Sequence, residues 1–541
     1  MATPADDRIP TAARREVDVL VVGGGINGAG IARDLAGRGA RVLLCEKDDL
    51  AAHTSSASTK LIHGGLRYLE YYEFALVKKA LAEREVLLKG APHIMWPLRF
   101  VMPHDPSMRP VWMIRIGLFL YDHLARREVL PGSRVVDLHA HFAGGPLRPE
   151  FTKGFVYSDG WVDDARLVTL CAVDAAERGA TVLTRTACVD AVRGADHWQV
   201  RLESARGGTL QVAARSLVNA TGPWAAEFLM AHAHAADRVQ LRLVKGSHIV
   251  VPRIFEHDHA YIFQNADGRI IFAIPYEGAF TLIGTTDVEH HGAIGDAHAD
   301  AGEIEYLCTQ ASRYFARPIT PSQVVWTYSG VRPLLDDESG NPAAVTRDYR
   351  LELDRDGGAP LLSVWGGKLT TFRKLAEETA DLLGRALPEV ELRGQWTASA
   401  PLPGGDLRQF LGDGAPPPAA VAPIFERFVE ALRERHPQVE PALVHRLARC
   451  YGTRAVALLA QGLGTEIASG VFAGELAHLR AHEWARTGDD VLWRRTKLGL
   501  HLDAAGRAAV DAWMAVQGED ERAFASASSA VSERAARPGV R

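Results

Sequence analysis

The chain has 541 residues, 47% hydrophobic and 23% charged, a balance that excludes a fibrous or disordered chain and, at roughly 150 residues per domain, predicts about three domains. Its formal net charge of −5 offers no global basic field, so the composition points to no nucleic acid partner. Cys45, Cys171, Cys188, Cys308 and Cys450 are scattered without a C-x-x-C pair, which predicts a reducing compartment and no metal site.

The N-terminal residues carry Asp6, Asp7 and Glu16 among their arginines and hold no apolar run before position 17, so they do not read as a signal peptide. No stretch reaches the ~20 apolar residues of a membrane span. The expected location is the cytoplasm or the cytoplasmic face of the cell membrane. VDVLVV at 17–22 predicts a strand buried on both faces of a parallel sheet. A glycine-rich turn follows, INGAGIARDLAGRG predicts a helix stopped by Gly39, and RVLLCEK at 41–47 predicts a second strand that completes a βαβ unit.

Helix candidates at 73–90 and 108–127 read as an insertion into that sheet. GWVDDARLVTLCAVDAAERGA at 160–180 predicts a capped amphipathic helix, 181–190 a strand, and SLVNATG at 216–222 the end of a hairpin-like stretch. Short strands at 241–251, 260–264, 269–275 and 280–285 predict an antiparallel sheet over a ligand. YRLEL at 349–353 and LLSVW at 361–365 predict a hairpin that runs into a strand–glycine turn–helix junction at GGKLTTFRKLAEETADLL. Residues 397–420, rich in Pro and Gly, predict a linker; the following chain to about 517 reads as helical throughout, and the tail from Gly518 as disordered.

Gly23, Gly25 and Gly28 form G-x-G-x-x-G between the first predicted strand and helix. The first glycine permits the turn, the second lets backbone approach a pyrophosphate, the third lets helix and strand pack, and the helix N-terminus faces the anion. Glu46 ends the second strand, where a carboxylate accepts from a ribose 2′-OH, and an acid there disfavours NADP. These residues leave FAD and NAD both open.

Longer motifs narrow the choice: TSSASTKLIHGGLRYLEYYEF at 54–74, APHIMWPLRFVMPH, MIRIGLFLYDHL, SDGWVDDARLV, NATGPWA, VKGSHIVVP, IGTTD, WTYSGVRPLLDDES, SVWGGKLTTFRKLAE and LWRRTKLG. With them the chain resembles, from about 17 to 505, the FAD-dependent glycerol-3-phosphate dehydrogenases of the aerobic bacterial and mitochondrial type. The resemblance implies an α/β fold: a Rossmann-like FAD-binding domain, an inserted antiparallel β-sheet substrate domain and a C-terminal α-helical domain. The expected boundaries are 1–75, 155–230 and 330–390 for FAD binding, 76–154 and 231–329 for the substrate cap, 391–420 for the linker, 421–517 for the helical domain and 518–541 for the tail.

The same resemblance implies non-covalent FAD and oxidation of sn-glycerol 3-phosphate to dihydroxyacetone phosphate, with hydride passing from C2 to flavin N5 and electrons to ubiquinone or menaquinone. A glycerol-3-phosphate oxidase that releases peroxide is the alternative, and a homodimer stays open. For the cofactor it implies Asn27 beside the glycine turn, Thr54, Ser55, Ser56 and Ser58 in the serine-rich loop, His63, Gly64, Gly65 and Gly222, and Gly367, Lys368, Leu369 and Thr370 at the last helix start. For the substrate it implies Arg67, Tyr68, His248, Arg332 and Lys368. A phosphate dianion needs clustered cations, and arginine's planar fork suits oxyanions; Arg332 is assigned near the reacting carbon. His248 is expected as the base for the C2 hydroxyl, with His63 positioning flavin or substrate.

MRPVWMIRIGLFLYDHLARRE at 108–128 mixes apolar residues with Arg109, Arg115, Arg126 and Arg127. Such a helix can lie on an anionic membrane surface, as peripheral attachment in the family implies, or pack on the protein's own core.

Overall fold

A computed structural model describes residues 13–105, 109–235, 239, 241–265, 267–335 and 348–516. The tail expected at 518–541 lies outside the described residues. The chain divides into two units, Met1–Arg454 and Ala455–Arg541.

In the first unit the apolar run of β1 (Ala13–Val22) is buried on both faces, as a central parallel strand requires. After the glycine turn the chain forms α1 (Ile26–Gly37) and returns as β2 (Val42–Cys45), parallel to β1. On its other side β1 pairs in parallel with Thr209–Asn219, which pairs in turn with Leu361–Trp365. The hairpin strand Arg350–Asp354 closes that edge antiparallel. Helices Asp164–Glu177 and Phe372–Ala386 pack on α1, so the sheet presents the Rossmann-like βαβ arrangement with the glycine turn at its carboxyl end.

The second sheet is built largely of antiparallel strands, among them Met95–Pro103, Lys153–Val162, Leu241–Pro252, Ala260–Gln264, Ile270–Tyr276, Phe280–Gly284 and Trp326–Leu335. Lys153–Val162 falls within the stretch 155–230 but hydrogen-bonds in this second sheet. Within the expected linker 391–420, the Trp396 indole N–H donates to Asp34 O at 3.2 Å and Thr397 Oγ1 donates to Glu377 Oε1 at 3.1 Å.

Several elements differ from expectation. The helix expected at 160–180 starts only at Asp164, because Gly160–Val162 finish a buried strand and the Asp163 carboxylate caps the helix by accepting from Arg166 N–H. The strand expected at 181–190 breaks after Leu183: Arg185 takes φ 51°, and Thr186–Arg193 turns to pair with Trp198–Ser204. The C-terminal region is not helical throughout. Glu466–Ala468 and Val471–Phe472 form a small hairpin around Gly470 at φ 71°, ahead of the helix Ala473–His482.

α2 (Phe74–Gly90) is buried along one side, whereas α3 (Val111–His123), shorter than the expected 108–127, buries only Leu118 and Tyr121. Trp112 and Phe119 are each 60% exposed, with Met113, Ile116 and Leu120 beside them, and the neighbouring Tyr72 is 80% exposed. The Tyr121 hydroxyl faces inward, accepting from Gly64 N–H at 2.8 Å and donating to Asp159 at 2.7 Å.

Candidate active site

A cleft of about 260 Å³ opens at the carboxyl end of the first sheet. Gly23, Gly25 and Asn27 line it from the glycine turn, Glu46 from the end of β2, and Thr54 and Ser55 from the serine-rich loop. Gly222 and Gly367 complete the expected set on its walls. Gly23 turns the chain at φ 111°, and a Cβ at Gly28 would overlap the Gly23 carbonyl oxygen, so the third glycine is required by packing. The Glu46 carboxylate accepts from Gly24 N–H at 2.6 Å and Asp48 N–H at 2.8 Å; burial pushes its pKa up and these backbone donors oppose the rise. The expected residues Gly28, Ser56, Ser58, His63, Gly64, Gly65, Lys368, Leu369 and Thr370 stand off the lining.

The serine-rich loop spends its hydroxyls on the protein. Ser55 Oγ accepts from Ile26 N–H at 3.0 Å, Thr54 Oγ1 donates to Val331 O at 2.7 Å, and Ser58 Oγ donates to Asp164 Oδ2 at 2.7 Å. The loop thereby joins the first βαβ unit to the Arg332 strand.

On the second sheet, His248 lies opposite Tyr328, Gly246 opposite Gly330 and Val244 opposite Arg332. Residues two apart share a face of a strand, so Gly246 and His248 lie beside Tyr328, Gly330 and Arg332. A Cβ at Gly246 would overlap the Arg332 guanidinium, which crosses the strand at that bare position. Arg332 Nη2 donates to Thr286 O at 2.9 Å and pairs with Asp287 Oδ1 at 2.8 Å. His248 is 2% exposed and stacks on Tyr328 with ring centroids 4.7 Å apart. Burial, with Lys60 and Arg332 adding positive charge nearby, holds its pKa well below the ordinary histidine range, so the ring is neutral near pH 7.

Lys368 follows the Gly366–Gly367 turn, which shares the cleft wall with Pro333, the residue after Arg332. Lys368 Nζ sits 3.8 Å from the centroid of the Tyr68 ring. Arg67, half-buried in the short helix Leu66–Tyr71, makes no ion pair among the described residues. His63 N–H donates to Thr370 Oγ1 at 3.1 Å, tying this loop to the last helix start.

The family described as FAD dependent oxidoreductase matches residues 18–373, and the C-terminal domain of alpha-glycerophosphate oxidase matches 395–520. A glycerol-3-phosphate dehydrogenase of Pseudomonas aeruginosa is 51% identical, covering 91% of this chain and 94% of its own. The aerobic glycerol-3-phosphate dehydrogenase of Escherichia coli is 48% identical, covering 92% and 97%. The chain belongs to the FAD-dependent glycerol-3-phosphate dehydrogenase family. A further relative, D-erythritol 1-phosphate dehydrogenase of Brucella abortus, is 51% identical, covering 92% of this chain and 97% of its own. Among solved structures, the glycerol-3-phosphate dehydrogenase from Bacillus halodurans complexed with FAD matches with a TM-score of 0.73 at 28% identity, covering 93% of this chain and 90% of that one.

FAD is the cofactor of this family of dehydrogenases, and the cleft fits it. Asn27 Oδ1 is buried on the wall without a hydrogen-bond partner among the described residues, a polar atom that a cofactor donor would satisfy. Several lining residues were missed in the sequence: Thr186, Cys188 and Val189 arrive from the broken strand, and Lys47 lies over the Trp224 ring at 4.0 Å. NATGPWA carried a signal for Trp224, two residues beyond Gly222. Nothing local marked the others. Asp287 was also legible within IGTTD but had no assigned role.

Proposed function

We propose that the chain oxidises sn-glycerol 3-phosphate at C2 to dihydroxyacetone phosphate and delivers the electrons to a membrane quinone, ubiquinone or menaquinone. The observation that carries this reading is a buried histidine, His248, sharing one sheet face with Arg332, together with Lys368 over the Tyr68 ring beside the Gly366–Gly367 turn of the cleft wall. Bound FAD supplies the two-electron acceptor for the hydride of C2. Glu46 would hold its ribose, the glycine turn and Ser55 its pyrophosphate, and Gly367, on the cleft wall, its flavin edge.

His248 takes the C2 hydroxyl proton, a role that needs the unprotonated ring. Arg332, held by Asp287, donates to the C2 oxygen as negative charge gathers there. Arg67, Tyr68 and Lys368 bind the phosphate, each charge-assisted hydrogen bond contributing about 1.5–3 kcal/mol. The exposed apolar face of α3, with exposed Arg115 and Arg126 nearby, supports attachment to an anionic bilayer surface.

The identity shared with the Brucella abortus enzyme favours one second reading, in which the substrate is a four-carbon polyol phosphate. Purified protein given sn-glycerol 3-phosphate and a short-chain ubiquinone should form ketone phosphate and quinol in equal amounts. Peroxide in place of quinol would make it an oxidase. A larger kcat/KM for D-erythritol 1-phosphate would move the substrate to four carbons.

A further inference from the structure

His248 offers two ring nitrogens, and only one can serve as a base. Nε2 lies 2.9 Å from Thr59 Oγ1, while Nδ1 is buried without a hydrogen-bond partner among the described residues. We propose that Thr59 is a positioning residue that accepts a hydrogen bond from His248 Nε2–H, fixing the tautomer in which Nδ1 keeps the lone pair that takes the substrate proton. This rests on the reading of His248 as the base.

Burial first, and then the charges around the ring, disfavour a doubly protonated imidazolium. Thr59 and Lys60 face it from the serine-rich loop, Tyr328 and Arg332 from the neighbouring strand, and Asp164 lies behind Lys60. Lys60 is itself buried, donating to Asp164 Oδ1 at 2.7 Å and to Ser56 O at 3.1 Å, with Nζ 5.0 Å from the centroid of the Tyr328 ring on which His248 stacks. Asp164 is engaged by Lys60 and Asp287 by Arg332, and burial, reinforced by these two cations, favours a neutral ring.

A neutral ring carries one hydrogen. On Nδ1 that hydrogen would be a buried donor with no acceptor, which is costly; on Nε2 it has the Thr59 oxygen. The Tyr328 hydroxyl, donating to Ser58 O at 2.8 Å, anchors the same loop, so Thr59 is held against the ring from both directions along the chain.

The experiment follows the rate of flavin bleaching by sn-glycerol 3-phosphate in anaerobic single turnovers of Thr59→Val, Thr59→Ser, His248→Ala and the Thr59→Val/His248→Ala double variant, after measuring bound flavin per chain. Thr59→Val should keep its flavin and bleach about 10- to 100-fold more slowly, Thr59→Ser should stay within about threefold of the unsubstituted protein, and the double variant should be no slower than His248→Ala alone. Loss of flavin from Thr59→Val would assign Thr59 to the cofactor and overturn the proposal. So would slowing in the double variant that multiplies the single effects, or unchanged bleaching in Thr59→Val while His248→Ala is slow. Fast bleaching in His248→Ala would instead remove the base reading on which the proposal stands.

Discussion

Substituting Phe119 and Leu120 together by Ser tests the attachment surface of α3. Phe119 exposes 60% and Leu120 37% of their surface, and neither is needed to seat the helix, which rests on Leu118 and Tyr121. Burying a whole Phe or Leu side chain contributes ~1.5–3 kcal/mol, so the exposed fractions amount to about 1.5 and 0.7 kcal/mol, together about 2 kcal/mol, if both enter a bilayer. That corresponds to about a 30-fold weaker partition. Flotation with vesicles of mixed neutral and anionic lipid, at low and high salt, measures it. The double variant should leave the vesicles at lipid concentrations that still retain the parent, while turnover with a water-soluble acceptor stays unchanged. Equal flotation of both proteins would refute the assignment of α3 as the anchor.

His248→Ala should retain bound flavin and lower turnover by about 10²–10⁴-fold, as loss of a general base does; near-normal flavin reduction would contradict it. Because burial, Lys60 and Arg332 depress the His248 pKa, its base form persists as pH falls through the ordinary value of about 6.5, so flavin reduction between pH 8 and 6 should show no histidine-like decline. The unfolded chain takes up that proton first, so the stability His248 contributes is present above about pH 6.5 and is lost as pH falls from there toward the folded-state pKa, which a series of denaturant titrations would register. Arg67→Ala should raise KM for the phosphate ester by about 10- to 100-fold with a smaller change in kcat, from the loss of one charge-assisted contact; an unchanged KM would move the phosphate elsewhere. Gly28→Val should yield protein with little bound flavin, since its side chain collides with the Gly23 carbonyl, and full flavin content would refute the packing argument.

The first βαβ unit was legible because its signals are local: a continuous β-branched run, three glycines at fixed spacing, and an acid at the end of the second strand. The strands of the substrate sheet were legible from short apolar segments between turn residues. What failed was local pattern competing with pairing. GWVDDARLV has helical periodicity across its whole length, yet Trp161 and Val162 complete the sheet, and only the Asp163 cap marks the true start. The chain after 455 read as helix because the two strands of its hairpin are three and two residues long, below the length at which alternation declares itself.

At the site, His248, Arg332 and Lys368 were reachable through the family resemblance. Their working arrangement was not, since it rests on pairs distant in sequence. Thr59 meets His248 across 189 positions, and Lys60 meets Asp164 across 104. The serine-rich loop is expected to contact the cofactor; Thr54 and Ser55 line the cleft, and the hydroxyls of Thr54, Ser56 and Ser58 bond the protein's own groups, pairings that no local pattern displays.

The most direct measurement is an anaerobic titration of the purified yellow protein with sn-glycerol 3-phosphate, following flavin absorbance in the absence of quinone. Stoichiometric bleaching, with one dihydroxyacetone phosphate formed per flavin, is the predicted result. Colour that persists in saturating substrate without oxygen would contradict the account.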